Sequence, residues 1–217
     1  MADAITLETL HLLPELERLR ELCKALAILD AIIEPEWQLR YFSFDSKWDE
    51  GEEMASMRDG CGSDHHCLFI NDGAILKGFD VDSEFAEDVV EVGAPPIGVF
   101  ENVPSEFDSF LVEPAFAIEQ STYCIWRRRS DLRWCSGVPE DEHDRHAPLG
   151  LLHMLQDDPS VYQRWAEEYY GREFPIEPIV AAYRMEPISE STLKRLNPNL
   201  TLGELEADIE EIGYRQK

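Results

Sequence analysis

Between Lys77 and Arg127 the chain carries no lysine or arginine, yet that span holds eleven acids: Asp80, Asp82, Glu84, Glu87, Asp88, Glu91, Glu101, Glu106, Asp108, Glu113 and Glu119. Over all 217 residues, 45 acids stand against 19 Lys and Arg, a formal charge of −26. Such a surface is repelled by nucleic acid and by anionic lipid, so neither is expected as a partner; cationic molecules are attracted. No apolar run approaches the length of a membrane span, and the opening "MADAITLETLHLLPELERLRELC" has acids where a secretory signal would carry a basic flank and an unbroken apolar core. A cytoplasmic location without a membrane partner is the expectation. The five cysteines, Cys23, Cys61, Cys67, Cys124 and Cys135, are odd in number, scattered, and form no C-x-x-C, which argues for reduced, packed thiols and against a disulfide framework. Also missing are the G-x-S-x-G elbow, the P-loop, the dinucleotide G-x-G-x-x-G and the H-E-x-x-H helix. No catalytic residue and no cofactor are therefore assigned, and a binding protein is favoured over an enzyme.

Apolar residues at 44% are ordinary for a folded protein, so the charge does not imply disorder. In "LPELERLRELCKALAILDAII" the residues Leu16, Leu19, Leu22, Cys23, Leu26, Leu29, Ile32 and Ile33 fall three or four apart, lining one face of a helix that Pro14 opens and Glu34-Pro35 closes. "WQLRYFSF" reads as a strand, and "DSKWDEGEEMASM" as a helix ending near Gly60. "HHCLFI", the turn "NDG" and "AILKGF" form a hairpin, and "STYCIWRRRSDLRWCSG" a second one. Pro104 starts a short helix with Phe107, Phe110 and Leu111 on its apolar side. Further on, Asp158, Pro159 and Gly171 bound a helix, two short helices follow, and Thr201 with Glu204 has the capping-box spacing ahead of a last one. The fold class expected is α+β: an N-terminal helix, a central antiparallel sheet of four to six strands, and a helical C-terminal third. One domain over 1–217 is expected, its 145–217 part packed as helices on the sheet.

The segment "DGCGSDHHCLF" gathers Cys61, His65, His66 and Cys67 within seven residues. A structural zinc site draws on paired knuckles with C-x2-4-C spacing, whereas here the two cysteines are too far apart and strand neighbours face opposite ways. The reading preferred is a hairpin with packed Cys and edge His. The alternative is a metal-dependent or cysteine-based hydrolase, with Cys61, His65 and Cys67 as ligands or Cys61 and His65 as nucleophile and base. The loop bearing Glu140, Asp141, Glu142, His143, Asp144 and His146 reads as solvated, although its donors suit a divalent ion. Arg127, Arg128, Arg129 and Arg133 alternate across a hairpin and so form no single patch; neutralising nearby acids is the role expected of them.

The pattern of "DGCGSDHHCLFINDGAILKGFDVDSE" resembles a segment of bacterial proteins related to the SUKH superfamily: a glycine-acid turn at Gly60 to Asp64, a strand from Cys67 to Ile70, a turn at Gly73, a strand from Ala74 to Phe79, and an acidic end from Asp82 to Glu84. The resemblance implies a cytoplasmic α+β protein without catalytic residues, related to immunity proteins that bind and neutralise toxins, often basic nucleases. Acidity without an active-site motif points the same way. The function expected is a non-enzymatic acidic binding protein, immunity-like, that engages a basic protein such as a toxin. Its contact residues are taken to be Asp80, Asp82, Glu84, Glu87, Asp88 and Glu91 around exposed aromatics, and no metal is assigned.

Overall fold

A helix that is apolar on every side needs cover on every side, and this requirement organises the molecule. In the computed structural model, which describes residues 4–138 and 149–215, helix α1 spans Leu16–Ile33. From Leu22 onward nearly every α1 position is buried, including Ala25, Ala27, Ile28, Asp30 and Ala31, which lie off the stripe read from the spacing. The stripe is met by a sheet, and the remaining faces are met by helices from the far end of the chain.

That sheet has six strands, β1 (Phe42–Asp49), β2 (Glu52–Arg58), β3 (Asp64–Ile70), β4 (Gly73–Phe79), β5 (Tyr123–Arg128) and β6 (Cys135–Ser136). They lie in chain order, each antiparallel to its neighbour. Successive residues turn to opposite faces. Phe42, Phe44, Ala55, Met57, Cys67, Phe69, Ala74, Leu76, Tyr123 and Ile125 therefore face α1 in one hydrophobic cluster that runs from Ile5 to Tyr214. Leu68, Ile75, Cys124 and Trp126 face the other way, into a second cluster. The 80–122 connection between β4 and β5 covers that second face with Val99, Phe107, Phe110 and Phe116. It contains α2 (Ala86–Val92) and α3 (Asp108–Val112).

The C-terminal part supplies α4 (Pro159–Tyr170), α5 (Ile176–Tyr183), α6 (Glu190–Leu196) and α7 (Leu202–Ile212). Helices α5, α6 and α7 pack on α1, α7 also on β1, and α4 on α5. The architecture is α+β, with the N-terminal helix, the antiparallel sheet and the helical C-terminal part expected of it. The local end signals hold as well. Asp158 accepts from the Ser160 amide with Pro159 at the first position of α4, Gly171 ends that helix, and Thr201 with Glu204 makes the full reciprocal capping box of α7.

Two local expectations are overturned. "DSKWDEGEEMASM" is not a helix; it is the β1–β2 hairpin, in which Gly51 takes the left-handed φ of +80° that a tight turn requires. Its period-two signal, the inward Ala55 and Met57 of β2, is short and follows a run of charged residues. "WQLRYFSF" is only half strand: Trp37–Leu39 form a 3-10 turn with Trp37 and Leu39 exposed, and extended structure begins at Phe42. Among the described residues no helix is long and apolar enough to cross a membrane.

Candidate functional site

Beyond β4 the chain leaves the sheet and enters its cation-free span. Asp80 is half-buried and committed locally: its amide donates to Thr122 Oγ1 at 3.0 Å and its carboxylate accepts from the Asp82 amide at 3.0 Å. Asp82, Glu84, Glu87, Asp88 and Glu91 are exposed. Helix α2 turns Ala86 and Val89 inward and Glu87, Asp88, Val90 and Glu91 outward. Glu87 and Asp88 sit in its first turn, where the unpaired amides favour negative charge, and Gly93 ends it with φ +70°. Asp82, Glu87, Asp88 and Glu91 make no ion pair among the described residues. Val90, Val92 and Ile97 stand among them, each largely exposed. The result is a ledge on which Asp82, Glu87, Asp88 and Glu91, without ion pairs among the described residues, are interleaved with small apolar side chains.

The six expected contact residues thus lie on one segment, five of them exposed, with Asp80 the least available. The expected exposed aromatics do not accompany them. Phe107, Phe110 and Phe116 are buried in the cover of the second face, Phe110 and Phe116 stacked at 4.5 Å, because a half-open sheet face takes up large rings first. Exposed aromatic rings occur elsewhere, at Trp37 and Tyr169.

The cysteine and histidine segment is split by the pleat. Asp59 organises the loop ahead of β3, accepting from the amides of Cys61 (2.7 Å) and Ser63 (2.9 Å), and leaves Cys61 exposed. His65 and Cys67 are buried on the α1 side, whereas His66 faces the second cluster with its ring 5.9 Å from that of Phe116. Burial drives the His65 imidazole down to about 3 and raises the Cys67 thiol well above its ordinary value. His65 is thus sealed in the core, whereas Cys61, the thiol that the alternative pairs with it as nucleophile, lies exposed in the loop ahead of β3. Among the described residues no three His, Cys, Asp or Glu side chains gather in a way that could hold a metal ion. Cys61 on the one hand and His65 with Cys67 on the other therefore lie in different settings, an exposed loop and the buried α1 side of the sheet. The Glu140, Asp141, Glu142, His143, Asp144 and His146 loop lies outside the described residues.

Exposure sorts the thiols. Cys61 is exposed and Cys135 half-buried, whereas burial pushes Cys23 up to about 12 and raises Cys67 and Cys124. In the native protein a thiol-specific aromatic disulfide reagent is expected to modify Cys61 and Cys135 promptly and the other three only after denaturation. Rapid native labelling of all five would refute this packing.

Two charged groups escaped the sequence reading. Lys77, 1% exposed, donates to Asp64 Oδ1 at 3.0 Å and to the Gln120 carbonyl at 3.2 Å, so it ties the second-face cover to the sheet. Burial alone would raise the Asp64 carboxyl, but His66 and Lys77 beside it outweigh that and hold it below its usual range. The arginine tract is distributed as its alternation implies. Arg127 pairs with Glu15, Arg129 with Glu17, and Arg128 with Asp131 and more distantly Glu106. These cations neutralise their own acids, and none of them pairs with Asp82, Glu87, Asp88 or Glu91 among the described residues. Comparison with protein families, with curated proteins and with solved structures finds no match for this chain.

Proposed function

We propose that this chain is a non-enzymatic binding protein whose acidic ledge captures a basic protein, with an immunity-type role against a cationic toxin as its biological setting. The observation that carries the reading is the set Asp82, Glu87, Asp88 and Glu91, exposed and without ion pairs among the described residues, around outward-facing Val90 and Val92. Carboxylates that have no internal partner keep their full field in solution, and clustered fields of this kind accelerate the encounter with an oppositely charged protein. The apolar side chains between them are desolvated on contact and contribute affinity that charge alone does not. The resemblance of residues 59–84 to SUKH-related immunity proteins supports the same class of partner, and among the described residues no three His, Cys, Asp or Glu side chains gather as a metal site would require.

The test is direct. The protein is titrated against a panel of catalytically inactivated basic nuclease toxin domains by surface-based kinetics at low and near-physiological salt. A binding member should associate at least about tenfold faster at low salt. The quadruple variant Asp82→Asn, Glu87→Gln, Asp88→Asn, Glu91→Gln should lose most of that salt dependence. The reading is refuted if no basic domain binds at low salt, or if the quadruple variant binds with unchanged association rate.

A further inference from the structure

The ledge is well suited to steering and poorly suited to anchoring. Interface energy concentrates in a few large, rigid, desolvated side chains, chiefly Trp, Tyr and Arg, while rim charges set the association rate. The ledge offers only Val and Ile. Rings of that kind are exposed elsewhere among the described residues: Trp37 is 50% and Tyr169 48% exposed, with Leu39, 55% exposed, two residues after Trp37.

Trp37 and Tyr169 are held by one connected framework. The Arg58 guanidinium lies over the Trp37 indole at 4.0 Å and donates to the Trp37 carbonyl at 2.6 Å. The Arg58 amide donates to the Tyr41 carbonyl at 2.9 Å. The Tyr41 ring meets that of Tyr169 at 5.2 Å, and Tyr169 stacks on Trp165 at 5.3 Å with the planes 14° apart. Rings fixed in this way lose little freedom when a partner covers them. Arg58, Asp64 and Phe79 are successive cross-strand partners, which sets Arg58 two strands from the point where the chain leaves β4 for the ledge. Arg58 leads into the Asp59 loop, and at the far side of that loop the Val81 amide donates to Ser63 Oγ at 3.2 Å, one residue before Asp82.

The geometry points to Trp37, Leu39 and Tyr169 as the anchoring half of a single docking surface, whose steering half is the acidic ledge and whose occupant is the same basic protein. The inference rests on the proposed function, and charge selects the occupant. Exposed Glu36 precedes Trp37 and exposed Glu168 precedes Tyr169 in the chain, so the exposed acids of the patch favour a partner rich in arginine and lysine, although one face of Trp37 is already covered by Arg58. A second copy of this chain is disfavoured at the same place, because two molecules of charge −26 repel.

The experiment uses the full chain and the inactivated basic toxin domains, with Trp37→Ala, Tyr169→Ala, Tyr169→Phe, Leu39→Arg and the ledge quadruple variant compared with wild type. Circular dichroism confirms each fold, and Leu39→Arg, at an exposed position, guards against loss of folding in the aromatic variants. Trp37→Ala, Tyr169→Ala and Leu39→Arg should each raise the dissociation rate roughly tenfold to a hundredfold with association and its salt dependence nearly unchanged, and Tyr169→Phe should bind like wild type. Patch variants that dissociate like wild type, while the ledge variant still loses association rate, overturn the anchoring patch alone. A panel in which no domain binds wild type overturns the ledge reading and this inference with it. Light scattering that shows a dimer abolished by Leu39→Arg assigns the patch to self-association and likewise overturns it.

Discussion

Asp30→Ala lowers the folding free energy by about 3–5 kcal/mol, because it leaves three buried donors without an acceptor. Asp30 lies fully buried in α1. One carboxylate oxygen accepts from the amides of Tyr41 and Phe42 at 2.8 and 2.9 Å, and the other from the Tyr162 hydroxyl at 2.8 Å. A single side chain thereby fixes the entry of β1 and the position of α4 against α1. Alanine removes all three bonds and opens a cavity. Urea unfolding measures the loss, and a cost under about 1 kcal/mol would contradict this role.

The same residue gives stability a pH dependence. Burial raises the Asp30 carboxyl from 3.8 to about 6, against the pull of the Phe42, Tyr162 and Tyr41 donors and the Arg40 charge. Between those two values the folded state holds a proton that the unfolded chain has released, so the contribution of Asp30 to stability is greatest below about pH 4. It declines as pH rises to about 6 and then stays level, a change of about 3 kcal/mol. Asp30→Asn keeps an acceptor and does not titrate. Its deficit relative to wild type should shrink by about that amount from pH 4 to pH 7. A deficit that is constant across the range would show that Asp30 does not titrate in this window.

Gly137→Ala should cost about 1–3 kcal/mol, and more locally at the cover of the second face. A Cβ on Gly137 would fall 1.8 Å from the Val99 carbonyl oxygen and 2.3 Å from its carbon. Both are backbone atoms and cannot swing aside. Val99 is fully buried beside Phe107, Phe110 and Phe116, so displacing it loosens the 80–122 connection that carries the ledge. Amide exchange should accelerate there before it does in α1. Gly203→Ala provides the contrast. Nothing lies within 4 Å of that site in α7, and alanine there should stabilise by about 0.5 kcal/mol. Equal effects at both glycines would refute the close approach at Gly137.

Proposals about the ledge and its anchors depend on which acids are already paired, and this was only half legible. The cation-free span from Lys77 to Arg127 marked the ledge directly, since charge composition survives folding when side chains stay in solvent. Its supposed aromatics did not survive, because Phe107, Phe110 and Phe116 close the second face. Trp37 and Tyr169 became neighbours through Tyr41 and Arg58, across more than 130 residues of chain, and no local pattern encodes that.

By itself the sequence determined the hairpin at "HHCLFINDGAILKGF", the caps at Asp158 and Thr201, the breakers at Gly171 and Pro35, and the sign of the surface charge. Each of these depends on a residue and its neighbours within a turn or two of chain. Only the tertiary structure decided that α1 is enclosed on nearly every side from Leu22 onward, that Asp30 and Lys77 are buried with partners on other elements, and that "DSKWDEGEEMASM" pairs as strands. Burial and strand pairing are energies of contact between distant segments, and a one-dimensional period records which face of an element is apolar without recording what comes to cover it.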